Sequence, residues 1–304
     1  MQNNNNNNGN TFSALLPPEM AKKAEEAGVV KANLGKRRMF ALAVLAGAFI
    51  ALGAIFATTV TTGASGSLTF GVTKLLGGFV FSLGLILVIV AGAELFTGNN
   101  LIVMAWADRK VSTAKLLRNW VIVYLGNFVG AIFTVGLMFV SGQYTFAGGA
   151  VGVNALNIAN GKMGFGFLQA VALGALCNAL VCLAVWLCMS ARTTTDKILA
   201  IIFPITAFVA AGFEHSVANM FFVPMGLFIK AWAGPEFWEA AGTTAAAYPN
   251  LTWTNFLVHN LLPVTIGNII GGALLVGLVY WFIYLREPHT KTPLVPRKKA
   301  VSVE

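Results

Sequence analysis

Six apolar runs, each long enough to cross a bilayer, constrain this chain more than any other feature: they lie near residues 39–60, 71–96, 117–141, 165–190, 198–230 and 254–285. A helix rises about 1.5 Å per residue, so about 20 apolar residues cross the roughly 30 Å hydrocarbon core. Hydrophobic residues make up 57% of the 304 and charged residues 10%, whereas a soluble domain is only about 45–50% apolar. The chain therefore reads as an all-α integral membrane protein with six transmembrane helices. Its 32 glycines fit that reading, because helices in lipid associate through close backbone approach at small residues.

Basic residues orient the bundle. With the N-terminus inside, the cytoplasmic segments carry Lys36-Arg37-Arg38, Arg109-Lys110, Arg192, Lys197, Arg286 and Arg297-Lys298-Lys299, while the outer side keeps only Lys74, Lys162 and Lys230 of the 20 basic residues. The positive-inside rule then places both termini in the cytoplasm. This bias, together with attraction to anionic membrane lipid, accounts for the formal charge of +9 and excludes a nucleic-acid partner. Three parts follow: a cytoplasmic N-terminal segment (1–38), a channel-forming domain (39–285, with halves at about 39–141 and 165–285) and a cytoplasmic tail (286–304). Ahead of the first span, Leu15 to Gly28 carries Pro17 at a helix start, strong helix formers and a glycine stop, which predicts a short amphipathic helix. It either gates a pore from below or lies on the bundle or membrane face. The Asn3–Asn8 run is of low complexity, and no basic segment followed by a short apolar stretch and cleavage site opens the chain, so no removed leader is expected. Cys177, Cys182 and Cys188 share one apolar run without zinc-site spacing and read as small packing residues.

The two halves repeat. Gly92-x-Glu94 and Asn99 match Gly212-x-Glu214 and Asn219 at an offset of 120 residues, in the second and fifth spans. Both spans are interrupted by polar residues, so both read as broken helices. Gly126-Asn127-Phe128-Val129-Gly130-Ala131 reappears as Gly267-Asn268-Ile269-Ile270-Gly271-Gly272, each a GxxxG packing face. Three spans per unit force the second unit to enter the membrane from the opposite side, a 3+3 inverted repeat. In such folds the site lies near the midplane, where the broken helices meet and unwound backbone is tolerated because it lines a cavity.

Of the 11 acidic residues only Glu94 and Glu214 fall within the spans, and of three histidines only His215 does so clearly. Intramembrane ionisable groups cost about 2.5–3.5 kcal/mol or more, so each needs a reason. The glutamates occupy equivalent positions beside the breaks, where a carboxylate can accept the freed backbone N–H groups; Asn99 and Asn219 accompany them. Direct substrate contact is the rival reading, weakened because an ionised glutamate repels an anion. His215 has Leu95 as its repeat partner, so symmetry does not require it to be polar, and function is the better reading. An imidazole donates a hydrogen bond when neutral or yields a proton when charged. Thr97, at the other break, either bonds His215 across the pseudo-symmetry axis or caps its own broken helix. Lys162, alone in the long outer loop, either draws anions to the outer mouth or is an ordinary exposed lysine. His259 and His289 read as incidental.

The segments Gly92-Ala93-Glu94-Leu95-Phe96-Thr97-Gly98-Asn99, Gly212-Phe213-Glu214-His215-Ser216-Val217-Ala218-Asn219-Met220 and Pro263 to Gly272 closely resemble signatures of the formate/nitrite transporter family. The likeness runs from about Leu15 to Glu287 and is nearest to the FocA-type formate channels, given Phe81-Ser82-Leu83-Gly84-Leu85 and Cys182-Leu183-Ala184-Val185-Trp186. The resemblance implies an aquaporin-like protomer in a homopentamer of a bacterial cytoplasmic (inner) membrane, each subunit with its own pore for formate and similar small anions. By matching position, Leu85, Leu95 and Phe208 would line the cytoplasmic-side constriction and Phe81 the periplasmic-side one. His215 and Thr97 would be the central pair, Asn178 and Asn268 polar groups along the lumen, and Lys162 the outer vestibule cation. A cytoplasmic regulator could act at the N-terminal helix. Glu94 stands where the family often has Asp, and Gly98-Asn99 where Ser-Thr commonly follows the threonine, which bears on loop mobility and gating.

Formate, held or protonated by His215 between two hydrophobic rings, would cross with less desolvation cost than a bare anion. Protons are then a co-substrate. Nitrite, hydrosulfide and lactate are rivals within the same architecture. A neutral-solute channel lacks support because the paired Asn-Pro-Ala triplets are missing, and a membrane enzyme because no nucleophile, base or metal-ligand cluster appears in the spans. No cofactor or metal is expected.

Overall fold

The computed structural model describes residues 14–64 and 66–286, and every described regular element is helical. The Asn3–Asn8 run, His289 and Arg297-Lys298-Lys299 lie outside the described residues. Among the described residues, five helices are long and apolar enough to cross a membrane: α2 (Lys36–Thr61), α3 (Phe70–Gly92), α5 (Thr113–Val140), α7 (Phe167–Ser190) and α11 (Asn255–Tyr284). Between them lie α4 (Val103–Ala107), α6 (Ala150–Gly161), α8 (Thr194–Ala210), α9 (Ser216–Trp232) and α10 (Pro235–Ala241). The expected fifth span is thus two 17-residue helices, α8 and α9, interrupted at 211–215. The second is α3 followed by a break at 93–97, a 3-10 turn (Gly98–Ile102) and α4. After α9 the chain bends by 113° into α10.

Small residues set the helix spacing, and they do so twice. In the first half α5 lies so close to α2 that a Cβ on Gly130 would fall on the Val44 carbonyl and one on Gly47 on the Asn127 carbonyl. In the second half a Cβ on Gly267 would fall on the Val171 carbonyl and one on Gly271 on the Ala175 carbonyl, so α11 lies on α7 in the same way. Contact this close brings backbone dipoles and dispersion into play where lipid supplies no hydrophobic segregation. The first helix of each half is therefore clamped to its third.

The segment read as a long outer loop holds α6. Val151, Ala155, Leu156 and Ala159 recur at helical spacing and are buried; Ala159 meets Gly226 of α9, while Gly152 meets the ring of Phe237 in α10. Twelve residues are too few to register as a span, which is why hydropathy passed over it.

The N-terminal helix α1 (Pro17–Asn33) starts as expected, with Glu19 accepting the Leu16 N–H at 2.9 Å. It does not stop at Gly28. That glycine instead lets α1 approach the turn after the first break, where a Cβ would stand 3.4 Å from Ile102 Cα. The helix lies on the bundle, held by Lys23 to the Met189 carbonyl (2.7 Å), Lys110 to Glu25 (2.6 Å) and Arg118 to the Ala32 carbonyl (2.7 Å). Hydrogen bonds to Glu25 and Asp108 hold the Lys110 ammonium above its ordinary value. Its contribution to docking α1 is full below pH 10.5 and is lost as pH rises beyond that.

Replacing Gly130 or Gly271 by Val drives side-chain atoms into a carbonyl that belongs to a packed helix. Each substitution is expected to destabilise by about 3 kcal/mol or more, as overpacking does. The thermal midpoint of the purified protein measures this, with Gly136→Val, whose Cβ would meet nothing within 4 Å, as the tolerated comparison.

Candidate functional site

Each break opens with a glycine in the left-handed region, Gly92 at φ +85° and Gly212 at φ +75°, a conformation that L side chains adopt at a cost. Beyond it the backbone leaves the helix, and its polar groups need new partners. An asparagine from the third helix of each half supplies them. Asn127 Oδ1 accepts the Phe96 N–H (2.9 Å), and its amide donates to the Ala43 and Glu94 carbonyls (2.8 and 2.9 Å). Asn268 Oδ1 accepts the Ser216 N–H (2.9 Å), and its amide donates to the Gly174 and Glu214 carbonyls (2.8 and 3.0 Å). The first helix of each half adds one more bond, from Glu94 N–H to the Leu42 carbonyl (3.2 Å) and from Glu214 N–H to the Leu173 carbonyl (3.3 Å).

The glutamate side chains therefore do not accept the freed backbone N–H groups, contrary to the sequence-based expectation, because the asparagines and carbonyls of neighbouring helices already have them. Each carboxylate instead closes a network with a lysine and two asparagines. Glu94 takes Lys31 at 2.7 Å and Asn99 at 2.7 Å; Asn99 donates to Asn119 (2.9 Å), which donates to the Lys31 carbonyl (3.2 Å). Glu214 takes Lys162 at 2.8 Å and Asn219 at 2.7 Å; Asn219 donates to Asn260 (2.8 Å), which donates to the Lys162 carbonyl (2.9 Å). Lys162 is thus corrected on two counts: its side chain is only 15% exposed, at the C-terminus of α6, and its charge is paired. Its ammonium also lies over the Phe222 ring, 5.4 Å from the centroid.

His215 occupies the N-cap of α9. Its Nδ1 accepts the Ala218 N–H at 3.0 Å, so in the neutral ring the proton sits on Nε2. Nε2 is 2.9 Å from Thr97 Oγ1, which makes the imidazole the donor and the hydroxyl the acceptor. Of the two roles open to Thr97, the hydroxyl takes the bond to His215 and makes no capping bond to its own turn. The Thr97 carbonyl receives the Asn178 amide and the Cys182 thiol, both at 3.3 Å. The Asn178 amide also donates to Asn100 (3.0 Å) and to the Asn268 carbonyl (2.7 Å). Where Asn178 does this, the other half has Gly47 against the Asn127 carbonyl, a second departure from symmetry beside His215 and Leu95.

Phe81, Leu85, Leu95 and Phe208 are all buried, and two of them, Phe208 and Phe81, stand beside this pair. Phe208 stacks on the imidazole with ring centroids 5.9 Å apart and meets Phe81 edge-on at 5.8 Å. An open vestibule of about 700 Å³ reaches them from the α6 side, lined by Phe81, Phe208, His215, Lys162, Phe222 and Lys74 among others. Phe208 lies with Phe81 at this vestibule. Phe222, stacked on Phe81 at 6.2 Å, is a lining residue that sequence reasoning missed. Its apolar neighbours in α9 gave no signal to single it out.

The profile described as "Formate/nitrite transporter" matches residues 18–282. The chain belongs to the formate/nitrite transporter family. It is 52% identical to the formate channel FocA of Escherichia coli K12 over 276 residues, 91% of this chain and 96% of that protein. The FocA of Haemophilus influenzae is 44% identical over the same shares. A solved structure titled "Pentameric formate channel with formate bound" superposes with a TM-score of 0.79 at 50% identity, covering 83% of this chain and 98% of that one. This is a multi-pass membrane protein whose relatives are channels and transporters, not enzymes.

Asn127→Ala and Asn268→Ala each strand two buried backbone groups at a break, one N–H and one carbonyl, and remove a further bond to a carbonyl of the first helix. At about 1 kcal/mol or more per stranded group, each is expected to lower stability by at least about 2 kcal/mol. Equal falls in the thermal midpoints of the two purified variants are the outcome that matched roles require; tolerance of either one contradicts it.

Proposed function

We propose that the protein is a channel for formate and related small monovalent anions, with His215 and Thr97 at the centre of the path. The single observation that carries this is a neutral imidazole, fixed by an N-cap bond, aiming its Nε2 donor at the point where two broken helices meet under aromatic and aliphatic walls. An anion stripped of water between such walls faces a cost of several kcal/mol, which a charge-accepting hydrogen bond offsets. Formate displaces the Thr97 hydroxyl and accepts Nε2–H. Delivering that proton to the substrate requires a second proton on Nδ1, which must first release the Ala218 N–H. Hydrogen bonding therefore serves transport at neutral pH, and proton transfer takes over in acid.

The repeated break networks support an inverted 3+3 arrangement, with Phe81, Phe208 and Phe222 at the outer constriction, Leu85 and Leu95 at the inner one, and Asn178 and Asn268 lining or bracing the lumen between. The distribution of basic residues supports cytoplasmic termini, flanking a channel domain at 39–285, and the bacterial relatives an inner-membrane setting. Homopentameric assembly follows the titled solved structure. A cytoplasmic regulator that lifted α1 would withdraw Lys31 from Glu94 and leave that buried carboxylate unpaired.

Formate flux into proteoliposomes, measured against pH and beside nitrite, hydrosulfide and lactate, tests the reading. Wild type is expected to carry formate with uptake coupled to protons in acid. His215→Phe removes both donor and N-cap and is expected to abolish the coupled uptake. His215→Asn keeps the cap and a neutral donor, and is expected to conduct without the acid response. Undiminished proton-coupled flux in His215→Phe would refute the assigned role.

A further inference from the structure

Three lysines face the outer side in the orientation above, and two of them have their charge or donors engaged. Lys162 is ion-paired with Glu214 at 2.8 Å. Lys230 donates to the carbonyls of Tyr248 (2.7 Å) and Leu251 (2.9 Å), which ties the end of α9 to the segment that follows α10. Lys74 differs. It is half-buried in α3, lines the vestibule, and among the described residues has no acidic partner within ion-pair distance. Its ammonium instead lies over the Phe70 ring, 5.5 Å from the centroid.

The charged side chains lining the vestibule are Lys74, Lys162 and Glu214. The last two cancel at contact distance, so the net positive charge of this cavity is that of Lys74. We infer that Lys74 is the residue that captures the anion at the outer mouth, while Lys162 serves chiefly to hold Glu214 and the second break. The inference rests on the anion-channel reading. A cavity with low-dielectric walls focuses the field of an uncompensated charge and raises the local concentration of the opposite ion. That effect acts on encounter rather than on passage between the rings. Salt screens it over about 8 Å at physiological ionic strength, so its signature is a salt-dependent rate at low substrate concentration.

The test is the initial uptake of radiolabelled formate, far below saturation, into right-side-out membrane vesicles carrying the full-length protein. Impermeant salt is varied from about 10 mM to about 500 mM, over which the Debye length falls from about 30 Å to a few ångströms. Lys74→Gln is expected to lower the rate about threefold at the low end, the size a unit charge exerts across several ångströms of water, and to converge on wild type at the high end. Lys74→Arg is expected to keep the wild-type rate and salt slope. A Lys74→Gln rate equal to wild type at low salt overturns the inference, as does a loss of the same size at every salt concentration. No formate uptake by wild type overturns the formate reading and this inference together, whereas either of those two results for Lys74→Gln beside an active wild type overturns this inference alone.

Discussion

A helix that stops inside a membrane leaves N–H and C=O groups that hydrocarbon cannot satisfy, each at a cost of several kcal/mol. Everything distinctive here depends on how that cost is met. Asn127 and Asn268 each accept one N–H and donate to two carbonyls, so one amide side chain holds three backbone groups of the break and of the first helix together. The glycine contacts allow this, because only helices packed this closely bring an amide within 3 Å of both neighbours. Close packing, satisfied breaks and a fixed central pair are therefore one mechanical system.

Against that near-symmetric frame, the chemistry sits in what differs between the halves. Leu95 and His215 hold equivalent positions, yet only the imidazole can cap a helix and donate across to Thr97. Gly47 and Asn178 likewise hold equivalent positions beside the carbonyls of Asn127 and Asn268. Asn178 uses the room to reach the Thr97 carbonyl and Asn100. It thereby fixes the residue that faces His215. The two asymmetries meet at Thr97, one on its hydroxyl and the other on its carbonyl.

The spans were legible because hydropathy reports directly on what lipid demands, and the breaks because Glu94 and Glu214 are too polar to sit in unbroken apolar helices. The offset of 120 residues was visible for the same reason. Lys31 and Asn119 were not, because loop lengths differ between the halves: Lys31 matches Lys162 at 131 residues, and Asn119 matches Asn260 at 141. No single offset reveals the two networks, which become visible only where Lys31 folds back from α1 and Lys162 from α6. The amide of Asn268 was read as lining a path, since sequence shows which helix carries a residue but not which backbone groups lie across from it. Helix α6 escaped because its apolar face is shorter than a span, and with it the placement of Lys162.

Why each break carries a glutamate at all is settled by charge rather than by hydrogen-bond count. A neutral amide would serve Asn99 or Asn219 equally well as an acceptor, but it would leave the half-buried cation Lys31 or Lys162 without its counter-charge. The reverse holds if the lysine is lost, because removing one partner of a buried pair costs more than the pair itself contributes. Each pair therefore joins opposite charges at contact distance and is indispensable locally. With both glutamates engaged by lysines, the proposed path leaves the hydrogen bond from Nε2 as the interaction that would distinguish an anion from the apolar walls around it.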